Sequence, residues 1–247
     1  MKALAKKLLN KAGYDVLKLK NSNFTIEANL LNIIARKNID CIIDVGANSG
    51  QYGTFLRRIG YEGHILSFEP VSHVFRTLES AAKRDAKWQC FQLALGDRDE
   101  EKEINVYKST VFSSFLDANE YSKNTWNSLK EVRTEIVQVK KLEDIFQGLM
   151  KDIGNVGCML KMDTQGYDVN VFEGARGILG QIEALQSEIA TIKVYEHMPD
   201  GLDALKLFRE YGFYISGMFP INREESLAAI EFDCLLVKRE PSDVKNR

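Results

Sequence analysis

Cys41-Ile-Ile-Asp-Val-Gly-Ala-Asn-Ser-Gly50 is the stretch that decides the fold. A short, nearly all-apolar run at 41–45 enters a turn bounded by Gly46 and Gly50, and an amphipathic helical pattern follows at 51–59. A strand buried on both faces of a sheet reads as such a run. The glycines let the backbone turn sharply and approach a ligand without a Cβ in the way. Strand, tight turn and helix N-terminus in that order form the nucleotide crevice at the carboxyl edge of a parallel sheet.

Working outward, further strand-like runs lie at 64–68, 89–94, 158–162, 184–189, 214–218 and 234–237, with amphipathic helical patterns in most gaps. This alternation predicts one α/β domain with a seven-stranded, mostly parallel sheet and helices on both faces. Residues 96–148 interrupt it. There 103–107 and 134–139 alternate apolar with polar residues, as a partly exposed antiparallel hairpin does, so a small β insertion is expected, with 117–130 a helix or long loop. The expected division is an N-terminal helical extension over 1–30, the domain proper over 31–240 and a tail over 241–247.

Composition narrows the function. Lys plus Arg total 33 against 35 Asp plus Glu in 247 residues, without the basic excess of a nucleic-acid binder. No run approaches the roughly 18 apolar residues of a membrane span, and MKALAKKLLNKAG at 1–13 lacks the apolar core of a secretory signal. Cys41, Cys90, Cys158 and Cys234 stand far apart, three of them in apolar runs, which suits free thiols in a reducing cytoplasm. Residues 1–20 carry six lysines with Leu4, Leu8 and Leu9 on one helical face. They read as a capping helix packed on the domain, with a membrane-surface helix as the alternative.

The second decisive feature is Glu69, which ends the run His64-Ile-Leu-Ser-Phe-Glu-Pro70, nineteen residues after Gly50. A carboxylate there can accept both ribose hydroxyls of an adenosine. Asp44, two residues before Gly46, separates the adenosine cofactors: a buried anion beside the turn repels a pyrophosphate but suits the ammonium and sulfonium of S-adenosylmethionine. Asn48 lies within the same turn. Asp97 could accept from the adenine amino group or simply satisfy its turn. Ser113 and Ser114, in a lid-like part of the insertion, could touch cofactor or acceptor or be ordinary turn residues.

Methyl transfer needs the acceptor held in line with the sulfonium, and a hydroxyl acceptor must also lose a proton. The expected active edge carries Lys161-Met-Asp-Thr-Gln-Gly-Tyr-Asp168 and Tyr195-Glu-His-Met-Pro-Asp-Gly201. His197, alone among the histidines in a loop at that edge, is the first candidate base. Asp163 is the second, able to orient the acceptor or take the proton, unless it caps the helix from Tyr167 or bonds the Gly166 turn. Asp163 with Glu188 could hold a hard cation, but two scattered acids are a weak metal signal and no metal is assigned.

Together these residues resemble the FkbM-type methyltransferases. IDVGANSGQYG at 43–53, GHILSFEPV at 63–71, LKMDTQGYDVNVFEGA at 160–175 and the closing REYGFYISG and EFDCLLVKRE carry the resemblance over most of the chain. It implies a class I, Rossmann-like fold and O-methylation of a hydroxyl, commonly on a sugar of a glycolipid, surface polysaccharide or glycosylated natural product. By similarity Asp44, Gly46, Asn48, Gly50 and Glu69 hold the cofactor, and 163–167 line the acceptor side. The family often has Glu where this chain has Asp168. The rival readings are a binding module without chemistry and a nicotinamide-dependent oxidoreductase on the same sheet.

Overall fold

The computed structural model describes residues 7–9, 11–14 and 25–239. Most of the lysine-rich segment lies outside them. Leu8 and Leu9, which do not, are exposed instead of packed on the domain, contrary to the capping-helix expectation. Helix α1 (Ile26–Lys37) starts where the Thr25 hydroxyl accepts the Ala28 N–H and stops at Asn38, whose left-handed backbone ends the helix. Its Leu30 and Ile33 are buried in the same apolar cluster as Ile39 and Ile42 of strand β1 (Ile39–Val45).

From β1 the chain alternates as expected through α2 (Gln51–Arg58), β2 (His64–Phe68), α3 (Ser72–Ala82) and β3 (Trp88–Phe91). The expected strand 89–94 is divided. β3 ends at Phe91 and the chain bends at Gln92, then Ala94–Leu95 enters a second sheet as β4. Apolar Phe91, Leu93, Ala94 and Leu95, all at least half-buried, flank the exposed Gln92, so hydrophobicity alone does not mark where the chain changes sheets.

The insertion builds that second sheet from β4, β5 (Glu100–Tyr107) and β6 (Val132–Lys140), with β5 and β6 antiparallel and β4 parallel to β6. The expected hairpin is therefore present and gains a third strand. Between β5 and β6, 117–130 folds as a short helix α4 (Glu120–Thr125) and a 3₁₀ turn. Glu135 of β6 accepts the Ser72 backbone N–H at 3.0 Å and the Ser72 hydroxyl, docking the insertion on the start of α3.

The chain then returns to the main sheet through α5 (Leu142–Met150), β7 (Gly157–Met162), α6 (Asp168–Glu173), β8 (Ile182–Ala190), α7 (Gly201–Glu210), β9 (Phe213–Arg223) and β10 (Ala229–Lys238). The strand order is β3-β2-β1-β7-β8-β10-β9, and β10 runs antiparallel to both its neighbours while the others are parallel. This is the class I methyltransferase arrangement. The order reverses direction at β1 and β7, and ligands of such sheets bind beyond the carboxyl ends of the strands at that point.

The larger apolar cluster lies on the α5–α6–α7 side of the sheet, where the Phe172 ring meets those of Phe208 at 4.8 Å and Tyr211 at 5.4 Å. Replacing Phe172 by Ala should lower the unfolding free energy by about 3–5 kcal/mol, read from the shift in a denaturant midpoint.

Candidate active site

A cavity of about 490 Å³ opens at the carboxyl ends of β1, β2, β7 and β8 and is roofed by residues 110–115 of the insertion. One end is shaped by the glycine turn. Gly46, Asn48 and Gly50 have φ of 75°, 46° and 88°, the left-handed region that glycine adopts most readily. The close approach that Gly46 permits is made by the chain itself: a Cβ there would lie 2.0 Å from the Asp163 carbonyl oxygen. At Gly50 it would meet Leu78 and Trp88 at 3.2–3.3 Å. The turn is glycine-rich so that β1, β7 and β3 can close around it.

Glu69 stands where the sequence put it, buried at the cavity wall after β2. Its Oε2 accepts the Asn48 N–H at 3.0 Å and its Oε1 the Val71 N–H at 2.8 Å. A carboxylate oxygen has room for a second donor, so both can still take ligand hydroxyls. Burial pushes this carboxyl up to about 7, against the two N–H groups that pull it down. Asn48 also lines the cavity, its amide donating to the Thr110 hydroxyl at 3.1 Å and thus tying the turn to the roof.

Asp44 does not reach the cavity. It is fully buried beneath the turn, where Oδ1 pairs with Lys161 Nζ at 2.9 Å and Oδ2 accepts from Ser67 at 3.1 Å. The expected naked anion beside the ligand is thus neutralised. Lys161 was not singled out in the sequence. It is buried, lines the cavity, lies 3.4 Å from Asp163 Oδ2 and sits 5.1 Å from the centre of the Tyr52 ring. Burial works to lower its pKa, but Asp44 and Asp163 outweigh that and keep it charged.

Asp97 also lies away from the cavity, bonded to the Tyr167 hydroxyl at 3.4 Å and paired with Arg98. Apolar Leu93, Ala94 and Leu95 line the adjoining wall instead. Ser114 does line the cavity, but its hydroxyl donates to the Gln165 carbonyl at 2.7 Å and accepts from the Leu116 N–H, pinning the roof. Its neighbour Ser113 has a buried hydroxyl without a hydrogen-bond partner among the described residues.

At the other end, His197 is exposed in its loop with φ 58° and is not among the cavity residues, so the structure does not support it as base. The backbone turn that carries it directs Tyr195 and Met198 into the protein instead. Asp163 does line the cavity and does not cap α6, while its side chain bonds Gln165 in the Gly166 turn, as the alternative reading had it. Its Oδ1 accepts from Gln165 Nε2 at 3.0 Å, and the same amide nitrogen donates to Glu188 at 2.8 Å. The structural acid is Asp168, which takes the Thr164 N–H and hydroxyl on one oxygen and the Ser187 hydroxyl and Glu188 N–H on the other. Of residues 163–167, Asp163, Thr164 and Gln165 line the cavity.

The donor set fits S-adenosylmethionine. Glu69 offers acceptors for a diol, and the apolar strand ends offer an adenine slot.

A family model described as the methyltransferase FkbM domain matches residues 44–215. A curated protein named Methyltransferase 1 from Beauveria bassiana (strain ARSEF 2860) is 28% identical over 148 residues, 54% of this chain and 57% of that protein. The chain thus spans little more than half the length of that relative. Among solved structures, magnesium protoporphyrin IX methyltransferase from Synechocystis PCC 6803 with bound S-adenosylmethionine aligns at 10% identity with a TM-score of 0.48, covering 96% of this chain and 97% of that one. Fibrillarin from Aeropyrum pernix, also with the cofactor bound, aligns at 13% identity and 0.45, covering 84% and 74%.

The acids of the cavity give a pH signature. Glu69, Glu188, Glu231 and Asp233 all have pKa values raised first by burial, so the folded protein binds protons more tightly than the unfolded chain. Their contribution to stability is present at acid pH and lost as pH rises through the folded values, for Glu69 between 4.5 and about 7. Glu69→Gln should remove part of this loss in the cofactor-free protein, measured as denaturant midpoint against pH.

Proposed function

We propose that this chain, which belongs to the FkbM methyltransferase family, is an S-adenosylmethionine-dependent O-methyltransferase acting on a hydroxyl of a sugar or sugar-bearing small molecule. The observation that carries the reading is one continuous cavity, with the cofactor residues Gly46, Asn48 and Glu69 at one end and a wall of amides and carboxylates at the other. Amides and carboxylates are the groups that fix sugar hydroxyls, because each accepts or donates along a defined direction.

Asp163 belongs to both ends. Its backbone packs against Gly46 and its carboxylate is bridged by Gln165 to Glu188 on the acceptor side. When bound, the cofactor supplies an electrophilic methyl group on its sulfonium. Asp163 accepts the hydroxyl proton, and Gln165 holds its carboxylate in position for that transfer. Lys161 Nζ stands 3.4 Å from the other carboxylate oxygen, Oδ2, and helps to hold it. The roof formed by residues 110–115 excludes water and holds the acceptor in line.

A nucleic-acid acceptor fits poorly. The lining includes one cation, Lys161, which is already paired, while four carboxylates besides Glu69 would repel phosphates. Among the described residues no helix is long and apolar enough to cross a membrane. The free thiols of Cys41, Cys90, Cys158 and Cys234 suit work in the cytoplasm.

Calorimetric titration with S-adenosylhomocysteine tests the cofactor half: micromolar binding is expected, and Glu69→Ala should weaken it by about 1.5–3 kcal/mol. Unchanged affinity would remove Glu69 from the cofactor site. With labelled cofactor and a panel of glycosides, Asp163→Asn should lower transfer about a hundredfold or more while S-adenosylhomocysteine still binds. His197→Ala should leave transfer intact, and a matching loss there would return the base to that loop.

A further inference from the structure

The acceptor wall carries more negative charge than methyl transfer to a plain hydroxyl uses. Glu188 of β8 lies directly opposite Asp233 of β10, and Glu231 follows on the same face of β10 two residues earlier. Like charges directly opposite each other across an antiparallel ladder are destabilising, and among the described residues no cation forms an ion pair with any of the three. The lining cation, Lys161, is engaged by Asp44 at 2.9 Å and Asp163 at 3.4 Å.

Each of the three acids is held in place without being neutralised. Gln165 donates to Glu188 Oε2 at 2.8 Å, Asn222 to Glu231 Oε2 at 3.1 Å and Gln186 to Asp233 Oδ1 at 3.2 Å. Gln186 is itself fixed by the Tyr52 hydroxyl at 2.7 Å. The second oxygen of each carboxylate has no protein partner among the described residues, and all three side chains line the cavity. Glu231 is only 6% exposed, so its free oxygen is committed to whatever fills the cavity. Burial has pushed all three carboxyls above their ordinary range, as it does when the compensating charge is absent.

Resting on the methyl-transfer reading above, we propose that the acceptor is a polyol bearing a protonated primary amine, such as an amino sugar, whose ammonium is received by Glu188, Glu231 and Asp233. An ammonium has three donors, one for each free oxygen. It is also indifferent to the short distances that a shared metal ion demands, and among the described residues no three such groups converge closely enough to hold one. The amine then sets the register of the sugar on the wall, and the hydroxyl that reaches Asp163 is the one methylated.

The test is calorimetric titration at neutral pH with glucosamine, glucose and N-acetylglucosamine, with and without saturating S-adenosylhomocysteine, on the wild-type protein and on a Glu231→Gln, Asp233→Asn double variant. Glucosamine should bind about tenfold or more tightly than the two uncharged sugars. The double variant should lose that advantage and keep its S-adenosylhomocysteine affinity. Glucosamine that binds no better than glucose, or not at all, overturns the assignment. So does a tighter response to magnesium chloride than to any sugar. Failure of S-adenosylhomocysteine to bind would instead strike at the methyl-transfer reading, while the sugar titrations without it still report on the carboxylate wall.

Discussion

Lys161 and Asp44 face each other across the β1–β7 ladder and pair at 2.9 Å with almost no solvent access. Removing either partner of such a pair strands a buried charge, at a cost of about 3–5 kcal/mol. The pair sits at the point where strand order reverses, directly beneath the cavity. Lys161 also reaches the Gly46 carbonyl at 3.4 Å, Asp163 and the Tyr52 ring. One cation therefore ties together the glycine turn, the end of β7 and the start of α2. The glycine-turn end of the cavity has a shape because this cation cannot leave.

The acceptor end is organised differently, around a neutral amide. Gln165 adopts a left-handed backbone, φ 54°, which a non-glycine residue holds only where its surroundings over-determine it. Here they do. Its amide nitrogen bridges Asp163 and Glu188, its amide oxygen accepts from the buried Tyr195 hydroxyl at 3.0 Å, and its carbonyl accepts from Ser114. The same hydroxyl lies 2.9 Å from the Phe112 carbonyl, so the two acceptors share its one proton. The insertion is thus fastened to Asp163 and Glu188 through one residue, so the roof and these two acids share a single set of hydrogen bonds.

Much of this is legible in the sequence. Gly46 and Asn48 of the glycine turn, Glu69 at the end of β2 and Asp163 at the end of β7 are set by local order along the chain and line the cavity, whereas Gly50 packs against Leu78 and Trp88. Other residues misled for identifiable reasons. His197 has the right chemistry in the right loop, but only the local backbone decides that Tyr195 and Met198 turn inward while His197 faces solvent. Asp44 carries the expected charge, yet its effect depends on a lysine 117 positions away in sequence. Asp168 is occupied by four hydrogen bonds that hold the β7 and β8 ends together, work a single sequence cannot distinguish from catalysis.

The amino-acid sequence by itself determined the alternating α/β order, the parallel core strands and the glycine turn, because hydrophobic period and glycine placement act over a few residues. Tertiary structure alone decided that residues 94–95 change sheets, that Lys161 neutralises Asp44, and that Glu188, Glu231 and Asp233 converge on one wall. These depend on register between strands far apart in the chain. A charge acquires its meaning only from the groups that folding places beside it in a low-dielectric interior.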